Sequence, residues 1–224
     1  MDMLEIHAII SNMSLNKEGE KSLPQKILRR IWRRGRGSVF TADDFSDMGE
    51  RVFIDIALSR LAKKGKIRRI ARGLYDYPVV HPELGAMSPS LESIVKALAG
   101  SEKIRLQPSG AYAANLLGLS EQVPMKIIFL TDGPSRKIVI DNREIILKRT
   151  TPKNMVAAGR LGGIIIQALR YLGKDAITPA MQARLVAAIP PDQRENVLKD
   201  VLSAPIWIRS LVTSLLLKEP SSDD

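Results

Sequence analysis

Seven Lys or Arg residues fall within the twenty positions LSRLAKKGKIRRIARGLYDY, residues 58–77: Arg60, Lys63, Lys64, Lys66, Arg68, Arg69 and Arg72. Cations at this density suit phosphate, through charge-assisted hydrogen bonds and the release of counterions condensed on a nucleic acid. Residue types for other chemistry are sparse. There is no cysteine, hence no disulfide, thiolate nucleophile or Cys-ligated zinc. The only histidines, His7 and His81, precede the second half of the chain, which therefore has no His-based triad or His metal site. Ser109 in QPSGAY does not sit in a nucleophile elbow, and Gly159, Gly162 and Gly163 match neither a dinucleotide fingerprint nor a P-loop. A metal-dependent nuclease needs clustered carboxylates. Asp132, Asp141 and Glu144 are the only acids near the later strand-like runs, and two of them sit in turns. No catalytic residue, metal ligand or cofactor is expected.

The basic residues are not spread evenly. The 224-residue chain carries a net charge of +10, with 45% hydrophobic and 26% charged residues. Residues 22–75 hold 14 basic and 5 acidic side chains, and residues 100–174 hold 12 and 5. Acidic spacers separate these two blocks. Such blocks point to a polyanionic partner more than a uniformly basic surface does. The longest uncharged apolar stretch, LGGIIIQAL at 161–169, is bounded by Arg160 and Arg170 and is too short to span a bilayer. Asp2 and Glu5 replace the basic start of a signal peptide, so a cytoplasmic protein is expected.

The first block must be positioned by helices. Ser22 with Pro24 can open a helix whose apolar stripe is Leu23, Ile27, Leu28, Ile31 and Trp32. Gly35 and Gly37 end it. Thr41 and Asp44 form a variant capping box for a short helix ending near Gly49. A third helix starts near Glu50, with Ile54, Ala57, Leu58 and Leu61 at the spacing of a buried face and Gly65 as its stop. KIRRI, the turn ARG and LYDY then suggest a β-hairpin, although Ile67 and Ile70 cannot share a face of a regular strand. Helix, short helix, helix, hairpin is the order of a winged helix-turn-helix. On that reading the third helix enters the major groove with Arg51, Asp55, Ile56, Ser59, Arg60 and Lys63 outward, and Arg68, Arg69 and Arg72 reach phosphates or a minor groove.

PVVHPELGAMSPS, residues 78–90, reads as a linker. Beyond it Ser88–Pro89 opens a helix with Leu91, Ile94, Val95 and Leu98 on one face. KIRLQ resembles a strand and SGAYAANLLGL a short helix. MKIIFLT (125–131), RKIVI (136–140) and REIILK (143–148) are separated by TDGPS and DN, which favours an antiparallel meander. A long helix is expected over Met155–Leu172, followed by helices broken at Pro179, Pro190, Pro191 and Pro205. Lys126, Arg136, Lys137, Arg143, Lys148 and Arg149 lie on or beside the strands and could gather into a second basic face.

The combination of LSRLAKKGKIRRIARGLYDY with LQPSGAYAANLLGL, then VPMKIIFLTDGPSRKI and IIIQALRYLGKD, resembles AbiEi-type antitoxins of bacterial type IV toxin–antitoxin systems. The similarity covers about residues 22–210, and its most specific parts are SRL…G…RGLY and QPSGA…LGL. It implies a winged-helix domain that represses its own operon. It also implies a second domain that counters a nucleotidyltransferase-like toxin without forming a stable complex.

The sequence therefore predicts an α+β protein. An N-terminal extension (1–21) precedes a winged helix-turn-helix DNA-binding domain (22–77) and a linker (78–90). A mixed α/β C-terminal antitoxin-like domain (91–218), with a small antiparallel sheet and several helices, follows. Its expected partners are operator DNA and a nucleotidyltransferase-like toxin, with no membrane and no cofactor. The rival readings are a small nuclease or nucleic-acid-modifying enzyme, and a winged-helix adaptor that binds protein without a toxin.

Overall fold

The structure, a computed structural model, describes residues 22–102 and 104–217. The N-terminal extension 1–21 and residue 218 lie outside the described residues. The fold is mixed α and β, with helices outnumbering small sheets. It divides into two compact units, the first ending at Ser101 and the second beginning at Glu102.

In the first unit α1 spans Leu23–Arg34, opened by Ser22, whose backbone N–H donates to the Gln25 side chain at 3.0 Å. Ile27 and Ile31 point into the core. Trp32, expected on the same stripe, is instead 55% exposed; it lies one residue past Ile31, at the edge of the apolar arc. Gly35, with φ +82°, ends the helix. Strand β1, Ser38–Phe40, was not expected from the sequence. A 3-10 helix, Ala42–Met48, begins where the Asp44 carboxylate accepts from the Thr41 N–H at 2.8 Å. Helix α2, Arg51–Lys63, buries Ile54, Ala57, Leu58 and Leu61, the four residues its spacing selects.

Strands β2, Arg68–Ala71, and β3, Leu74–Tyr77, form the hairpin around Gly73 (φ +71°). β3 is central, with β1 and β2 antiparallel on either side. Ile67 precedes β2 and is buried, while a register shift falls between Arg69 and Ala71. This irregularity accounts for the imperfect alternation around Ile67 and Ile70. Phe40 joins helices to sheet, edge-on to Phe45 at 5.7 Å and stacked on Tyr75 at 6.4 Å.

Residues 78–90 differ from an unstructured linker. They contain a two-stranded hairpin, β4 (Val80–His81) and β5 (Gly85–Ala86). Helix α3, Leu91–Glu102, assigned by sequence to the second domain, falls almost wholly in the first unit.

The second unit opens with β6 (Leu106–Ser109) and α4 (Gly110–Leu116). Strands β7 (Lys126–Thr131), β8 (Arg136–Ile140) and β9 (Arg143–Arg149) follow, in sheet order β6-β7-β9-β8. The expected antiparallel meander is corrected here: β7 and β9 are parallel neighbours, and β8 is an edge strand. The reason is burial. β9 carries Ile145 and Leu147 fully buried and takes the centre, whereas β8 exposes Lys137 and Val139 and suits an edge. Helices α5 (Leu161–Leu172), α6 (Pro179–Ala187), α7 (Arg194–Val201) and α8 (Ile206–Leu217) surround a second core built on Ile165, Leu169, Leu185, Val197, Val201 and Ile208. α5 starts six residues later than predicted, because Gly159 (φ +79°) and the extended Arg160 break the run from Met155.

Candidate nucleic-acid interface

The basic block of the first unit separates into occupied and unoccupied cations. In α1 the Arg30 guanidinium makes paired hydrogen bonds to Asp47 (2.6 and 2.7 Å), and Arg34 binds Asp44 at 2.8 Å. Hydrogen bonding from Arg30 holds the Asp47 carboxyl below its ordinary range. Both arginines also lie over the Phe45 ring, 6.0 and 5.7 Å from its centroid. Arg36 stacks on Tyr77 at 4.7 Å and donates to the Pro78 carbonyl. Arg30 and Arg34 fasten the 3-10 helix to α1, and Arg36 ties the turn after α1 to the end of β3.

Arg68 is a correction to the sequence reading. Instead of projecting toward a phosphate, its Nε and Nη2 donate to Asp76 Oδ1 and Oδ2 at 3.0 and 2.6 Å, and Nη2 also donates to the Met87 carbonyl at 2.7 Å. Asp76 faces Arg68 directly across β2 and β3 and is fully buried. A buried carboxylate needs a fixed cation, and the neighbouring strand supplies it. Arg51 is likewise engaged, with Asp43 and with Asp55 at 3.2 Å.

Arg60, Lys63, Lys64, Lys66 and Arg69 are exposed and form no ion pair among the described residues. They run in sequence along the end of α2, the following turn and edge strand β2. Arg72 is exposed at the hairpin turn beside Gly73. On α2 itself Ile56 is exposed and Ser59 half-buried; Val52 and Phe53, not singled out by sequence, are also exposed. Their signal was available: both lie off the buried stripe, yet apolar residues near a helix start pass for core.

The second basic group does not form one face. Alternation along the strands puts Lys126, Lys137 and Lys148 on the less buried side, opposite Ile127, Phe129, Ile138, Ile145 and Leu147. Lys126 and Lys137 share Glu144, at 3.9 and 3.1 Å. Arg136, Arg143 and Arg149 have the other parity and lie at strand ends. Net charge on the less buried side is thereby reduced. Among the described residues, no three His, Asp or Glu side chains gather closely enough to hold a metal ion, and no helix is long and apolar enough to cross a membrane.

The chain belongs to a family described as "Family of unknown function (DUF6088)", whose profile matches residues 26–197. No curated protein matches it. Among solved structures it is similar to the RV2827C protein from Mycobacterium tuberculosis, at 16% identity and a TM-score of 0.45, over 85% of this chain and 74% of that one.

Proposed function

We propose that the first unit is a winged helix-turn-helix that binds double-stranded DNA, with α2 in the major groove and the β2–β3 hairpin as the wing. One observation carries the reading: five exposed cations without acidic partners, Arg60, Lys63, Lys64, Lys66 and Arg69, follow one another from the end of α2 into the hairpin. A protein-binding module has no comparable need for them. The biological role we propose is repression of its own operon together with antitoxin activity against a nucleotidyltransferase-like toxin, without a stable complex. That part rests on the resemblance of the LSRLAKKGKIRRIARGLYDY and QPSGAYAANLLGL segments to AbiEi-type antitoxins. The second unit acts without catalysis of its own.

Fluorescence anisotropy on duplexes selected from a random pool, including the region upstream of the gene, tests the DNA reading. Five phosphate contacts give a slope of log affinity against log salt of about −4 to −5. A flat salt response with no selected sequence would favour the adaptor reading. Growth rescue of cells expressing a nucleotidyltransferase-like toxin, taken from an adjacent gene where one is encoded there, tests the antitoxin role.

A further inference from the structure

The buried stripe Ile54, Ala57, Leu58 and Leu61 defines the side of α2 that faces the core. At 3.6 residues per turn, Val52, Ile56, Ser59 and Lys63 lie within about 40° of the opposite direction. Phe53 and Arg60 flank them on one shoulder, Arg51 and Asp55 on the other. Val52 is 63% exposed, Phe53 57% and Ile56 42%. The polar side chains flanking this face in the first two turns are Arg51 and Asp55, and they are engaged: Arg51 donates to Asp55 at 3.2 Å and also binds Asp43. Hydrogen-bonding readout from the start of α2 is thereby blunted, while three apolar side chains stand ready. One and two turns further on, the same surface becomes cationic with Arg60 and Lys63.

An apolar patch that runs into unpaired cations fits an anionic partner that also offers apolar groups. The major groove has one such group, the thymine 5-methyl. We infer that Val52, Phe53 and Ile56 read DNA by contact with thymine methyl groups, so that the target carries thymines beneath the first two turns of α2. This rests on the DNA-binding reading above. It identifies the target chemistry and adds Val52 and Phe53 to the specificity-determining residues.

The test uses the full chain and a duplex it selects, with each thymine replaced in turn by deoxyuridine, which lacks only the methyl. At one to three positions the replacement weakens binding about fourfold, the effect of removing one buried methyl-sized group. Each penalty disappears in the Val52→Ala, Phe53→Ala or Ile56→Ala variant that owns the contact. Since these side chains are exposed, the variants retain the wild-type circular dichroism spectrum. Equal binding of thymine and uracil duplexes, with salt dependence intact, would overturn methyl reading and leave DNA binding standing. So would penalties that persist in the triple alanine variant. Absence of salt-sensitive binding to any duplex would overturn both.

Discussion

Arg68 and Arg69 stand side by side in β2, and their side chains meet different surroundings. Arg68 neutralises buried Asp76, while Arg69 is exposed and without an acidic partner. Arg68→Ala strands a carboxylate in the interior and should lower stability by about 2–3 kcal/mol in urea unfolding. This is less than for a fully enclosed pair, because the Arg68 side chain is one-third exposed. Arg69→Ala should leave unfolding unchanged and reduce the salt slope of DNA binding by about one. The reverse pattern would exchange their roles. Sequence alone did not separate them, since both read as cations on a hairpin. The clue was Asp76 in LYDY, an acid in an otherwise apolar strand, facing Arg68 only once the register is known.

Elements were more legible than their arrangement. The apolar spacing of α2 and the capping residues Ser22 and Thr41 located helices closely, because those signals are local. Strand order is not local: the alternation of β7, β8 and β9 is compatible with a meander or with the observed order, and burial of Ile145 and Leu147 decides. Three-residue β1 had too little pattern to see. Glycine in α5 shows local propensity yielding to packing. A Cβ on Gly163 would run into the Ala157 carbonyl and the buried Gln107 Oε1, and one on Gly162 into Asp200. Gly163→Ala should therefore destabilise by about 1–3 kcal/mol, despite its gain in helix propensity. Gly100 in α3 has open space at its Cβ, and Gly100→Ala should stabilise by about 0.5–1 kcal/mol. Thermal unfolding of the two variants in parallel provides the comparison.

At the scale of the whole molecule, the expected cut after residue 77 runs through bonds the β2–β3 hairpin needs. Arg68 donates to the Met87 carbonyl, and the Met87 N–H donates to the Val79 carbonyl. A fragment of residues 22–101 should unfold cooperatively, whereas one ending at Val79 should lose about 1–3 kcal/mol as Arg68 gives up its outer acceptors. Equal stability of both would mean that residues 80–101 add nothing to the unit. The second unit has its own apolar core, so residues 102–224 should fold without the first. If the proposed roles divide between the units, this fragment loses DNA binding and still rescues toxin-expressing cells.

Buried Asp76 also constrains the history of this sequence. While its carboxylate remains, position 68 is closed to lysine, which lacks the flat two-pronged donor that meets both oxygens. A neutral residue at position 76 in turn leaves the guanidinium without its counter-charge, held by backbone carbonyls alone. Replacement of both by apolar residues is the low-barrier escape, but only if they change almost together. Among relatives, change at these two sites should therefore be paired, whereas Arg69, exposed and without an acidic partner, should vary independently of position 76.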